Sequence, residues 1–183
     1  NADKSSLRLK LQGKLDASLR KNSPNINPHM KKHLLIFAFL FAVCCLSAQN
    51  KVVISKKALR VYVVNNQSDT LCTFRCACGK NKGNKRYKGD CRTPEGVFRV
   101  ASIENSKYWR TRGGARNVYG PYFIRLKVPK WRGIGIHGTN APKTIGTRCT
   151  KGCIRLRNKD IVQLVQYVDV GTKVHIMSDY SKH

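Results

Sequence analysis

The residues with the clearest capacity for chemistry are a cysteine and a histidine in the second half of the chain, Cys153 and His137. A cysteine attacks electrophiles as its thiolate, so a thiol with an ordinary pKa of about 8.5 must lose its proton to a base. Imidazole is the side chain best suited to this task near neutral pH. The pair therefore predicts nucleophilic catalysis, and the alternative for these two residue types alone is a structural role for each.

Hydrophobic periodicity predicts the elements that position these two residues. Short runs of alternating polarity are typical of strands and dominate after the first quarter of the chain, which predicts a mainly β domain with one clear helix. His137 ends one such run, and the small residues Gly138 and Thr139 follow it. Cys153 follows Gly152 in a loop just before the helix, where catalytic groups are commonly found. The strands are expected over 51–55, 59–65, 70–78, 96–103, 122–126, 134–137 and 172–177.

The predicted helix covers about 159–168, with Asn158 as its N-cap and Gly171 beyond its end. Its apolar positions recur at helical spacing, which predicts one buried face. These positions are Ile161, Leu164, Val165 and Val168.

Two long polar segments are predicted to be loops. The first, 79–90, is rich in Gly, Lys and Asn and is expected to carry charge rather than core. The second, 104–120, contains Tyr108, Trp109 and Tyr119. It is either a lid or wall of a substrate site, or a surface loop with ordinary packing aromatics.

Six cysteines follow residue 48, so keeping one as a free nucleophile leaves five, which cannot all pair within the chain. Zinc binding is the alternative interpretation for Cys72, Cys76, Cys78 and Cys91. Only one residue separates Cys76 from Cys78, which is too few for a structural zinc site. If 71–78 is a strand, Cys72, Cys76 and Cys78 share one face. No metal or organic cofactor is expected.

The chain is strongly basic, with 36 Lys and Arg against 9 Asp and Glu and a formal net charge of +27. Such a charge suits nucleic acid, an anionic membrane surface or an anionic wall polymer. The sequence contains no zinc-finger spacing, RNA-recognition aromatic motif or helix-turn-helix pattern, so nucleic acid is not the expected partner.

A secretory signal is predicted over 30–48. Met30 and a basic segment precede the apolar run 34–46, and small residues follow, with cleavage expected after Ala48. The run is shorter than the roughly 20 residues that span a bilayer, so no stable membrane span is expected after cleavage. An uncleaved anchor or a lipidated cysteine is the alternative. Residues 1–29 are expected to be an upstream extension outside the working protein, and the protein is expected in the periplasm or cell envelope.

Several segments together resemble the signature of L,D-transpeptidase (YkuD-type) catalytic domains. Residues 137–139 match the family's His-Gly-Thr element, and 151–156 match its Gly-Cys-Val/Ile-Arg element at comparable spacing. Upstream, 93–98 resembles the Thr-Pro-X-Gly-X-Phe segment, and 120–126 resembles the strand that follows it. The resemblance covers about 51–176.

The resemblance implies a β-sandwich-like catalytic domain over 49–183 that acts on peptidoglycan stem peptides in cell-wall biogenesis and cell shape. Its cysteine would attack the carbonyl of the third residue of a stem tetrapeptide. D-Ala would leave, and the thioester would pass its acyl group to an amine of another stem or to water.

The same resemblance implies roles for the residues around the pair. Cys153 would form the thioester, and His137 would take its proton and later serve the acceptor amine. Backbone N–H groups near Gly152 and Cys153 would hold the oxyanion. Gly138 and Thr139 would orient His137 through backbone or hydroxyl contacts.

Arg155 would orient the loop, bind a substrate carboxylate, or form a salt bridge that stabilises the loop. The sequence departs from the family pattern at Thr150 and Lys151, where many members carry Ser-His, so a second histidine cannot assist. Lys151 would favour the thiolate by its charge or point to solvent. Cys149 is also unexpected, and a regulatory disulfide with Cys153 or pairing elsewhere is a hypothesis.

Several alternatives stay open within and outside this family. L,D-carboxypeptidase hydrolysis, exchange of the terminal D-amino acid and attachment of a wall-anchored lipoprotein would all use the same site. A non-catalytic wall-binding module would have the same fold but no need of the thiol. A secreted cationic binder of nucleic acid or membrane would show steep salt dependence without any acyl-enzyme.

Overall fold

A computed structural model of the chain describes residues 50–111 and 113–180. The predicted upstream extension and secretory signal lie outside these residues. No helix within the described part of the chain is long and apolar enough to cross a bilayer.

The described residues form ten strands and one α-helix, so the predicted mainly β fold with one helix is confirmed. Each predicted strand is present, although the one expected over 70–78 ends early. A short 3-10 helix covers Pro142–Thr144. The strands are β1 Lys51–Ser55, β2 Arg60–Val64, β3 Thr70–Arg75, β4 Cys78–Gly79, β5 Gly96–Asn105, β6 Tyr122–Lys127, β7 Gly135–His137, β8 Arg148–Thr150, β9 Ile154–Arg155 and β10 Lys173–Met177, and the helix is α1 Asn158–Val165.

Eight strands form one sheet in the order β3-β2-β1-β10-β5-β6-β7-β9, and β4 and β8 form a small second sheet. The last strand, β10, lies in the middle of the large sheet, parallel to β1 and antiparallel to β5. Strands β7 and β9 are also parallel. The loops at the ends of β7 and β9 therefore lie side by side.

The sheet curls so that its two ends meet. Ala77, just after β3, exchanges two backbone hydrogen bonds with Arg155 of β9, of 2.8 and 2.9 Å. We call this contact the sheet closure. Cys76, Ala77 and Cys78 are all completely buried there. The chain changes its pairing partner at this point, because the Cys76 N–H still donates to the Leu59 carbonyl oxygen, whereas Ala77 bonds to Arg155 and Cys78 pairs with Arg148 of β8. The strand predicted over 70–78 was therefore wrong at its end.

The core lies on the inner face of the curled sheet and against α1. In β5, Phe98 and Val100 are buried, whereas Val97 and Arg99, which alternate with them, are exposed, as the sequence predicted. Helix α1 packs on β6 and β7. The predicted helix face is largely confirmed, since Ile161, Leu164 and Val168 are buried and Val165 is half-buried.

The predicted N-cap of α1 was wrong. Arg157 occupies the N-cap position without a side-chain capping bond, and Asn158 is the first helical residue. The Asn158 side chain turns away from the helix, and its Oδ1 accepts a hydrogen bond of 2.7 Å from the backbone N–H of Thr139. This long-range contact replaces the local cap, so the start of α1 holds the loop that follows β7.

Candidate active site

His137 ends β7, and its ring is held in place by two aromatic neighbours. It stacks parallel to Phe123 at a centroid distance of 5.6 Å and meets Tyr119 edge-on at 5.1 Å. Trp109 packs in turn against Tyr119 and Phe123. Trp109 and Tyr119 of the polar segment 104–120 therefore pack around the His137 and Phe123 rings, and the role of the segment as a substrate wall stays a prediction.

The tautomer of His137 follows from its hydrogen bond. Nδ1 lies 2.6 Å from the Gly138 carbonyl oxygen, which can only accept, so Nδ1 carries the proton. The other ring nitrogen, Nε2, consequently has a free lone pair. Burial lowers the pKa of His137 to about 4, outweighing the Gly138 hydrogen bond that raises it, and the Arg155 charge lowers it further. At neutral pH the ring is therefore a neutral acceptor of protons.

Cys153 lies immediately before β9, in the turn that follows β8. The register pairs Ile136 with Ile154 and His137 with Arg155. Continuing this register to Cys153, which directly precedes β9, places Cys153 and His137 on the same face. Strand geometry places their Cα atoms about 8 Å apart along the diagonal. The half-buried thiol donates to the Gly133 carbonyl oxygen at 3.3 Å.

Burial raises the pKa of the Cys153 thiol, so the resting group is protonated. A hydrogen bond from the Gly135 backbone and the charges of Arg155, Arg125 and Lys85 oppose this shift. The structure thus brings a neutral thiol and a neutral imidazole onto one face, with three cations positioned to stabilise the thiolate once the proton leaves.

The loops around the pair require small residues. A Cβ on Gly138 would lie 2.5 Å from Asn158 Oδ1 and 3.0 Å from Gly120 Cα. Gly152 has a φ of 132°, and a Cβ there would lie 2.9 Å from the Arg92 carbonyl oxygen. The Gly152 N–H donates to Thr150 Oγ1 at 3.2 Å, so its proton is already used within the turn.

Thr139 is buried, and it takes part in two hydrogen bonds of its loop. Its N–H donates to Asn158, and its Oγ1 accepts from the Ala141 N–H at 2.9 Å. The hydroxyl therefore shapes the loop after His137, and contact with the imidazole is made by the Gly138 carbonyl.

The Arg155 side chain connects β9 with the 3-10 helix and with β8. Its Nη1 donates to Thr144 Oγ1 at 2.9 Å and lies 3.6 Å from Cys149 Sγ, and its buried Nε has no partner among the described residues. The described part of the chain shows no salt bridge at Arg155. All six described cysteines are free thiols, and Cys149 is exposed.

A cleft of about 650 Å³ opens beside Cys153. Tyr119 and Trp131 contribute aromatic surface to its lining, and Gly133 and Ile134 line it next to the thiol. The remaining lining residues are predominantly cationic. They are Lys85, Lys88, Lys130, Arg132 and Lys151, together with Gly89.

Several residues of the site were not singled out from the sequence. Asn158 was assigned to the helix cap, and Phe123 was only part of a predicted strand. Lys85 and Asp90 lie in a loop expected to be wholly exposed, yet Asp90 is buried and ion-paired with Lys85 at 2.6 Å. A single acidic residue within a run of basic ones was the available signal. The described residues contain no group of three or more His, Cys, Asp or Glu arranged to hold a metal.

Comparison with known proteins finds matches in sequence and in fold. The sequence model of the YkuD family, described as an L,D-transpeptidase catalytic domain, matches residues 49–176. YqjB of Bacillus subtilis strain 168, named as a candidate L,D-transpeptidase, is 38% identical over 98 residues, which are 50% of this chain and 56% of that protein. The chain spans about half the length of the curated relatives it matches first.

Two solved structures share the fold. The helical cell shape determining protein Pgp2 of Campylobacter jejuni superposes with a TM-score of 0.57 at 21% identity, covering 73% of this chain and 49% of that one. L,D-transpeptidase 3 of Mycobacterium tuberculosis, solved with a faropenem-derived adduct, gives a TM-score of 0.54 at 20% identity and covers 70% and 60% of the two chains.

Proposed function

Because the chain belongs to the L,D-transpeptidase (YkuD) catalytic-domain family, we propose that it is an exported enzyme that remodels peptidoglycan cross-links through a thioester on Cys153. The observation that carries the proposal is the neutral, buried His137 with a free Nε2 on the same strand face as a cleft-lining thiol. At neutral pH a protonated thiol is a poor nucleophile, and a neighbouring imidazole activates it by taking its proton.

In the first half-reaction, Cys153 Sγ attacks the carbonyl carbon of the third residue of a stem tetrapeptide while its proton passes to His137 Nε2. The tetrahedral oxyanion is held by backbone N–H groups of the turn, with Cys153 itself as the leading donor because the Gly152 N–H is engaged by Thr150. The C–N bond to D-Ala then breaks, and the imidazolium returns the proton to the departing amine.

In the second half-reaction, an amine of another stem attacks the thioester carbonyl and gives a proton to His137. Collapse breaks the C–S bond, and the sulfur leaves as a thiolate that then takes that proton from His137. The net change exchanges one peptide bond for another, so no cofactor or oxidant is consumed. The imidazolium formed in each step is short-lived, which suits a buried ring whose pKa is low.

The cations near the thiol support the mechanism electrostatically. Arg155, Arg125 and Lys85 all favour the thiolate that forms transiently and is a leaving group in the second step. Arg125 is fixed by a bidentate pair with Glu104, of 2.7 and 2.9 Å, and lies 5.0 Å from the Phe123 ring under His137. Arg155 is thus proposed as an orienting residue that also contributes charge.

The test is release of D-Ala from a disaccharide-tetrapeptide by the reduced domain, with and without an added amine acceptor. The proposal predicts D-Ala release, a cross-linked product when the acceptor is present, and loss of both in a Cys153→Ala variant. Conversion of the tetrapeptide to a tripeptide regardless of acceptor would identify an L,D-carboxypeptidase instead. Retained wall binding without any turnover would identify a non-catalytic wall-binding module.

A lipoprotein acceptor is tested in the same assay. A peptide from a wall-anchored lipoprotein that carries a free primary amine would replace the stem as acceptor, and a covalent product would show that the thioester accepts it. Rejection of that peptide while stems are accepted would restrict the enzyme to cross-linking.

A further inference from the structure

The cleft beside Cys153 carries an unbalanced positive charge. Five of its eleven lining residues are Lys or Arg, and none of the eleven is Asp or Glu. The three aromatic and apolar side chains and the glycines of the lining cannot neutralise this charge. A cleft of this kind attracts a ligand that brings carboxylates or other anions with it.

Four of these cations are available to a ligand. Lys88, Lys130, Arg132 and Lys151 are exposed, and none makes a salt bridge or side-chain hydrogen bond within the described part of the chain. We call these four residues the cationic rim. Lys85 differs, because its side chain is only 6% exposed and its ammonium is paired with Asp90.

Buried contacts fix the loop that carries Lys85 and Lys88. The carboxylate of Asp90 accepts from the Lys85 ammonium and from the backbone N–H groups of Arg86 and Arg92, at 2.6, 2.7 and 3.1 Å. Although burial alone would raise it, these hydrogen bonds hold the pKa of Asp90 well below its usual range. The loop is therefore built around a permanent internal anion.

The opposite side of the rim is a tight turn. Lys130 and Gly133 have φ angles of 67° and 80°, and the Trp131 N–H donates to the Val128 carbonyl oxygen at 3.3 Å. The Trp131 ring lies 5.2 Å from the Lys85 ammonium, so the two loops contact each other across the base of the cleft. Cations from both loops consequently face one space next to the thiol.

We propose that the cationic rim selects stem peptides whose side-chain and terminal carboxylates are free over the same peptides with those groups converted to carboxamides. The inference rests on the proposed function, since it places the donor or acceptor stem in this cleft. Each free carboxylate meets an exposed Lys or Arg that has no internal partner. A carboxamide of the same shape keeps its packing but loses the charge that the rim attracts.

The experiment separates binding from turnover. Fluorescence anisotropy with a Cys153→Ser protein measures the Kd of two labelled disaccharide-tetrapeptides, one with free carboxylates and one amidated. The expected preference is about threefold to tenfold for the free form, because each exposed ion pair contributes little. Raising the ionic strength from about 0.05 to about 0.5 M should remove most of it, since salt screens exposed charges.

Matched variants assign the preference to the rim. The K88Q/K130Q/R132Q protein keeps only Lys151 of the rim and should lose most of the preference, with the Kd of the amidated peptide nearly unchanged. The control K51Q/K159Q/K173Q removes the same charge from exposed residues outside the cleft and should keep the preference. Equal Kd values for the two peptides in the parent protein, or an equal loss of preference in both triple variants, would overturn the proposal.

Failure of the proposed function is detected in a different assay. If the protein with an intact thiol releases neither D-Ala from the free peptide nor D-alaninamide from the amidated one, the enzyme is refuted, whatever the Kd values are. Release from both peptides with indistinguishable Kd and KM would refute the rim as a specificity determinant and leave the enzyme in place.

Discussion

The protonation state of His137 is set by its surroundings rather than by its residue type. The ring is 3% exposed, stacked on Phe123, and bonded through Nδ1 to the Gly138 carbonyl. Burial penalises the imidazolium, and Arg155 adds a like charge. A free lone pair on Nε2 at neutral pH is therefore a structural property of the folded domain.

This property links stability to pH. Folding lowers the pKa of His137 from its ordinary value to about 4, so between about pH 6.5 and pH 4 the unfolded chain binds more protons than the folded one. The free energy of unfolding should therefore fall as the pH drops through this window, by about 2–3 kcal/mol from this residue between about pH 6.5 and pH 4.5. Urea denaturation at both ends of the window measures the fall.

The matched variant is His137→Gln, which cannot titrate. Its loss of stability over the same window should be smaller than that of the parent protein by about the amount given above. Equal losses in the two proteins would show that the His137 ring is not held neutral by burial.

Individual elements were largely predictable from the sequence, and their long-range partners were not. Short apolar or alternating runs bounded by turn residues located β1, β2, β5, β6, β7 and β10, because such runs are a local consequence of burying one or both faces of a strand. The break at Cys76 and the insertion of β10 between β1 and β5 depend on pairing between distant segments. No local pattern encodes such pairing.

Asn158 shows the same limit within the site. A local rule assigned its side chain to the helix terminus, whereas a loop 19 residues earlier uses it. The motifs that contain His137 and Cys153 were recognisable because each is a short continuous stretch of sequence, and the catalytic roles of the two residues stay a prediction. The buried ion pair of Lys85 and Asp90 was not predictable, because the polar composition of 79–90 does not reveal the hydrogen bonds that fold this loop.

The contact between α1 and the loop after β7 predicts how substitutions of Asn158 change stability and the rate of acylation. Asn158→Ala leaves the buried Thr139 N–H without an acceptor, which should cost about 1–3 kcal/mol of stability and lower the rate of Cys153 acylation by about tenfold or more. Asn158→Asp keeps the acceptor oxygen and should restore most of both. Thermal denaturation and single-turnover acylation by a carbapenem provide the two measurements.

Helix content distinguishes this role from capping. Because Asn158 makes no capping bond, far-UV circular dichroism of the folded Ala variant should match that of the parent protein. An Asp variant as impaired in acylation as the Ala variant would contradict the proposed hydrogen bond to Thr139.

For the whole molecule, the sheet closure is the feature on which the site depends. It joins the end of β3 to β9, and β9 directly follows Cys153. Cys76 and Cys78 flank this contact, with their sulfurs 3.8 Å apart and no exposed surface. These two thiols should therefore report on opening of the entire domain.

Alkylation kinetics test this expectation. Exposed Cys149 should react with iodoacetamide first, whereas Cys76 and Cys78 should react about a thousandfold more slowly, when the domain unfolds. Trypsin separates the sites, because 76–80 contains both buried thiols, and 149–151 and 152–155 contain one cysteine each. Labelling of 76–80 within about tenfold of the Cys149 rate in native buffer would contradict a closed sheet.

The most direct test of the central claim is mass spectrometry of the reduced domain after incubation with a carbapenem. The account predicts one covalent adduct per chain, located on the tryptic peptide 152–155, whose only thiol is Cys153. The adduct should be absent from Cys153→Ala and should form more slowly in His137→Gln. An adduct on Cys149 alone, or none on a folded and reduced protein, would contradict Cys153 as the nucleophile.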